Sequence, residues 1–128
     1  MMGMRILVVT AREDQLRSLC RMLEEEPGCQ VDVAVTAADA MEALSRMAPQ
    51  LVIVDQQVGP VSSLDLVRQL LGVNAFVHTA VLSDMDEVTF HERAEGLGVL
   101  CRLPTTPGRQ DAGTVLELLK QVMQDQSY

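Results

Sequence analysis

The chain has 128 residues, enough for one domain with one core. Apolar residues make up 48%, so a packed globule is expected rather than disorder, and aromatics at 2% argue against a surface that stacks bases or sugars on rings. With a net charge of −8 and no basic stripe, the chain is not expected to bind nucleic acid.

Ile6-Leu7-Val8-Val9 is a short β-branched-rich run and predicts a first strand. From Ala11 to Glu26, Leu16, Leu19, Cys20 and Leu23 recur at helical spacing, and Pro27-Gly28 stops the helix. Glu24-Glu25-Glu26 is then a solvated helix end. Val31, Val33 and Val35 alternate with Asp32 and Ala34, as in a half-covered strand near a sheet edge.

Thr36-Ala37-Ala38-Asp39 has the capping-box pattern and opens a second helix that Pro49 ends. Leu51 to Val54 is a continuous apolar run, suited to a central strand covered on both faces, and Asp55 follows it. Gly59-Pro60 marks a turn, and Ser62-Ser63-Leu64-Asp65 is a further capping-box pattern opening a third helix. Phe76 to Leu82 predicts a fourth strand, Asp86 to Glu95 a polar helix, Val99 to Leu103 a fifth strand, and Thr114 to Met123 a last helix. Gly96-Leu97-Gly98 precedes a strand, so it is a helix stop and not a dinucleotide fingerprint.

Five rounds of strand then helix predict an α/β fold, a flavodoxin-like doubly wound (βα)5 sandwich around a parallel sheet. The functional crevice of such a sheet lies at the carboxyl ends of its strands. The loops to inspect therefore begin at Thr10, Thr36, Asp55, Ser83 and Pro104.

The order and lengths of the elements, Asp55 ending the third strand, Ser83 ending the fourth and Pro104 after the fifth resemble a bacterial response-regulator receiver domain of the CheY-like superfamily. The resemblance spans about residues 4 to 124 and implies a single receiver-like domain over 1–128 with strand order 2-1-3-4-5. It puts Asp55 in the position that accepts a phosphoryl group from a histidine kinase, and Ser83 in that of the switch hydroxyl.

Several positions depart from the family's pattern. The acidic pair that holds Mg²⁺ is here Thr10 and Ala11, the lysine before the proline is Leu103, and the aromatic switch residue is Leu100. Phosphoryl transfer depends on positioning and charge neutralisation, and Mg²⁺ takes oxygen ligands with carboxylates among them. Ala11 offers no ligand, Thr10 only a neutral oxygen, and Leu103 no cation. The expectation is a degenerate pseudo-receiver: no metal or other cofactor, weak or absent Mg-dependent phosphorylation at Asp55, and no enzymatic activity.

Neighbouring charges bear on that expectation. Arg12 stands one place beyond the lost acidic pair and is either a partner of Asp55, filling the metal's role permanently, or a solvated cation. Glu13 and Asp14 would reach a metal only through a rearranged loop, and Arg102 should point away from Asp55 because strand side chains alternate. Without chemistry, Asp55 would be a turn-capping carboxylate and Ser83 the N-cap of the next helix.

The module is expected to act by contact with a protein partner: a histidine kinase, an effector or a second copy. The resemblance places that contact on the face of the fourth helix, fifth strand and fifth helix, where Glu87, Thr89, His91 and Glu92 are polar. Alternatives are a phosphorylatable receiver and a small flavodoxin-type cofactor-binding domain. The latter would need Gly, Ser or Thr donors in the loop after the first strand, where Thr10-Ala11-Arg12-Glu13-Asp14 has no glycine and two acids.

No apolar run approaches a membrane span, and the apolar run after Arg5 is only strand-length, too short for a signal peptide. Cys20, Cys29 and Cys101 are an odd number with no CxxC, which fits a cytoplasmic location. Cys20 and Cys101 read as small core residues, and the methionines as core fillers. His78 and His91 have no Cys or carboxylate at zinc-ligand spacing.

Overall fold

The computed structural model describes residues 3–125; Met1 and Met2, expected as core fillers, lie outside them. Five strands form one parallel sheet: β1 (Met4–Val9), β2 (Cys29–Ala34), β3 (Leu51–Val54), β4 (His78–Leu82) and β5 (Cys101–Leu103). Their order is β2-β1-β3-β4-β5, the doubly wound flavodoxin-like arrangement that the sequence predicts.

Helices cover both faces: α1 (Arg17–Glu24), α2 (Ala37–Met47), α3 (Ser63–Val73), α4 (Glu87–Ala94) and α5 (Arg109–Asp125). The two-residue alternation of the strands explains how. Ile6, Val8, Leu51 and Ile53 pack with Leu19 and Leu23 of α1 and Val115 and Leu119 of α5. Leu7, Val9, Val52 and Val54 point the other way, against Leu44 of α2, Leu66 and Leu70 of α3 and Phe90 of α4. β3 is buried at every residue, as its unbroken apolar run requires of a central strand.

Several boundaries differ from the sequence reading. The segment expected as one helix from Ala11 opens with a 3-10 turn at Glu13–Leu16, and Arg12, at φ −116° and ψ 56°, stands outside any helix. α5 begins at Arg109 rather than Thr114. Its polar first turn is held by Asp111, whose carboxylate accepts the Gly108 N–H at 2.8 Å, and by an Arg109–Glu25 ion pair at 2.6 Å. Phe76 and Val99 fall outside the strands expected to contain them, and Phe76 is exposed.

The Gly59-Pro60 turn closes a small antiparallel ribbon, Gln57–Val58 with Val61–Ser62, which two-residue strands leave no periodicity to reveal. Gly59 at φ +58° supplies the left-handed conformation of the turn. Thr36 does cap α2, accepting the Asp39 N–H at 3.0 Å. Ser62 provides no side-chain cap to α3, and the Asp65 carboxylate pairs with Arg68 at 2.8 Å, so neither half of the expected capping box forms.

Candidate functional site

Backbone hydrogen bonds carry the ladder one residue past the strand ends. Thr10 N–H donates to the Ala34 carbonyl at 2.9 Å, Asp55 N–H to Val9 at 2.9 Å, and Ser83 N–H to Leu103 at 2.9 Å. Thr10, Asp55 and Ser83 are therefore fixed at the carboxyl edge, and all three are buried.

The Asp55 carboxylate is fully engaged. Its Oδ2 accepts from Arg12 Nε at 2.7 Å and from the Thr10 hydroxyl at 2.7 Å. Its Oδ1 accepts from Arg12 Nη2 at 3.0 Å and from the Gln56 N–H at 2.8 Å. The guanidinium thus meets the carboxylate side-on, the bidentate geometry in which an ion pair is strongest. Arg12 Nη2 also donates to the Thr105 carbonyl and Nη1 to Gln15 Oε1 at 3.2 Å, tying the β1–α1 loop to the β5–α5 loop.

Burial pushes the Asp55 carboxyl pKa up, but hydrogen bonds from Arg12, Thr10 and the Gln56 N–H, with the Arg12 charge, outweigh it and leave the pKa below its ordinary value. The same bond to Asp55 holds the Arg12 pKa above its usual value. Thr10 has a second task, since its oxygen accepts the Arg12 N–H at 3.0 Å and bends the loop that delivers the guanidinium.

Mg²⁺ does not fit this arrangement. It demands oxygen ligands at about 2.0–2.1 Å in octahedral order. Both Asp55 oxygens already carry two hydrogen bonds each, and Ala11 has no ligand atom. Asp84 lines the same shallow basin, whereas Glu13 and Asp14 do not reach it, and Asp14 pairs with Arg17 at 2.7 Å. Among the described residues no three His, Cys, Asp or Glu side chains gather as a metal site.

Leu103 is buried in the core layer beneath α1 and α5. Ser83 forms no hydrogen bond with Asp55, and it does not cap α4. Asp86 is the N-cap, accepting the Thr89 N–H at 3.1 Å, and the Ser83 oxygen instead accepts the Met85 N–H at 3.1 Å. Arg102 points away from Asp55. Its Nη1 donates to the Ser83 carbonyl at 2.8 Å and its Nη2 to Glu87 at 3.1 Å, while its buried Nε has no partner among the described residues.

The cysteines are not poised for chemistry. Burial raises the pKa of Cys20 and Cys29, and takes Cys101 up to about 11, so the nucleophilic thiolate is disfavoured. No helix among the described residues is long and apolar enough to cross a membrane.

Three partners of the site escaped the sequence reading: the Thr10 hydroxyl, the Gln56 N–H and the Thr105 carbonyl. The first had a signal, a hydroxyl closing an otherwise apolar strand. The other two are backbone groups, which side-chain chemistry does not announce.

The sequence matches no protein-family model, and no curated protein matches it. Solved structures do resemble the fold. The N-terminal domain of an uncharacterized protein from Wolinella succinogenes has a TM-score of 0.81 at 19% identity, covering 98% of this chain and 100% of that one. A CheY-like response regulator receiver domain protein from Methanospirillum hungatei has a TM-score of 0.83 at 17% identity, covering 97% and 99%. A two-component response regulator from Clostridium difficile has 0.82 at 16% identity, covering 94% and 98%. The chain therefore has the fold of CheY-like receiver domains.

Proposed function

We propose that the chain is a receiver-like signalling module of a two-component system, spanning about residues 4–124, that works by protein contact and not by Mg-dependent phosphorylation. The observation that carries this reading is the bidentate Arg12–Asp55 pair, at 2.7 and 3.0 Å. In it Arg12 stands as a permanent internal cation where a receiver would take a metal. Asp55 then holds the phosphoacceptor position and Ser83 the switch-hydroxyl position, with Thr10, Ala11 and Leu103 as the altered surroundings.

Phosphoryl transfer needs charge neutralised at the transferring group, and one lost donor of this kind is worth about 3–4 kcal/mol of transition-state stabilisation. A carboxylate held by a guanidinium is also a weak nucleophile, because attack must first break the pair. The proposed role is accordingly non-enzymatic, and the free cysteines Cys20, Cys29 and Cys101 favour a cytoplasmic setting for it.

The contact surface in this proposal is the face of α4, β5 and α5, with a histidine kinase, an effector or a second copy as partner. Val88 on α4 is 67% exposed, and a groove of about 500 Å³ between α4 and β5 is lined by Phe90, His91, Leu100 and Arg102. Arg102 connects this face to the site edge by holding both Glu87 and the Ser83 carbonyl.

Incubation with Mg²⁺ and acetyl phosphate, followed by intact mass measurement, tests the reading. The protein is expected to keep its mass. A stoichiometric phosphoryl adduct that disappears in Asp55→Asn would establish the phosphorylatable receiver instead.

A further inference from the structure

A cleft of about 460 Å³ opens between the ribbon, the N-terminus of α3 and the loop after β4. Four features there favour a negatively charged ligand. α3 is an 11-residue helix with no side-chain cap at Ser62, so its first turn presents the positive end of the helix dipole to the cleft. Ser63 lines the cleft while only 7% exposed, and its hydroxyl has no hydrogen-bond partner among the described residues. The hydroxyl is not sealed in the interior but opens onto the cleft, where it is free to donate to a ligand.

Ser83, 3% exposed, also lines the cleft; its oxygen accepts from Met85, which leaves the hydroxyl proton available as a donor. Arg93 of α4 faces the same space and forms no ion pair among the described residues. Two acids border the cleft. Asp65 is neutralised by Arg68 at 2.8 Å, and Asp84 alone opposes a negative ligand, which disfavours a polyanion.

We propose that this cleft binds a small organic anion, a carboxylate or a phosphate ester. Its oxyanion rests on the first turn of α3, Ser63 and Ser83 donate to it, and Arg93 neutralises it. The site goes beyond the signalling role and does not depend on chemistry at Asp55.

The test is amide NMR of the ¹⁵N-labelled protein titrated separately with inorganic phosphate and with acetate, against chloride at equal ionic strength. Saturable shifts are expected at the Ser63, Leu64, Asp65 and Ser83 amides. Ser63→Ala and Arg93→Gln should each weaken binding about tenfold, as loss of a hydrogen bond to a charged group does. Thermal melting confirms that both variants fold. The tighter of the two probes assigns the ligand class. Shifts that chloride reproduces, that spread over the whole surface, or that neither variant weakens would overturn the proposal.

Discussion

Asp55 and Ser83 end neighbouring strands at one edge of the sheet, yet their surroundings are opposites. Each Asp55 oxygen carries two hydrogen bonds, all four from protein groups. The Ser83 side chain accepts one, and the nearby Arg102 Nε has none among the described residues. Register underlies the contrast. Val54 pairs with Val81, so Asp55 and Ser83 are one residue out of step and fall on opposite sides of the pleat. Asp55 follows the α1 and α5 side, where the β1–α1 loop brings Arg12, and Ser83 follows the side of α3 and α4, where the cleft lies. A shared edge therefore holds one closed site and one open one.

The comparison breaks most forcefully at Arg12. Arg12→Met leaves a buried carboxylate without its cation and should lower stability by about 2–4 kcal/mol in urea denaturation. That is somewhat less than for a fully buried pair, because the Arg12 side chain is 29% exposed. Adding Asp55→Leu should restore much of the loss, since an apolar pair of similar volume has no unmet charge.

The loss should also depend on pH. In the wild type the Asp55 carboxyl is depressed, so its stabilisation is complete above the unfolded pKa of about 3.9 and fades as pH falls through the lower folded value. Without Arg12 the folded pKa rises, because burial is less opposed. The stability gap between wild type and Arg12→Met should narrow from pH 6 to pH 3, as followed by urea midpoints.

Smaller effects sharpen the contrast. Thr10→Val removes a hydrogen bond to Asp55 and one accepted from Arg12, an expected loss of about 1–2 kcal/mol by the same denaturation. At the open end, Arg102→Met removes bonds to Ser83 and Glu87 together with a nitrogen that has no partner, and the loss should be about 1 kcal/mol. Ser83→Ala should lower stability by roughly 0.5–1 kcal/mol, since one weak acceptor bond is lost.

The sheet was legible because its evidence is redundant. The unbroken Leu51–Val54 run is too short for a helix and suits a central strand, and repeated strand–helix alternation leaves few topologies. Charge offered Arg12 as a partner for Asp55, since a buried carboxylate needs one, but a solvated Arg12 also fitted the sequence. Less legible were features decided by single backbone angles. The 3-10 turn at Glu13–Leu16 exists where Arg12 leaves helical geometry, and helical periodicity runs straight through it. Ser83 read as the cap of the fourth helix and Asp86 as its first residue, and only the loop path moves the cap to Asp86.

Carbon-13 NMR of the Asp55 carboxyl across pH, in the wild type and in Arg12→Met, tests the internal-cation account most directly. The account predicts a carboxyl that titrates below the ordinary range in the wild type and clearly higher in the variant. A carboxyl that titrates at the same pH in both proteins would contradict it.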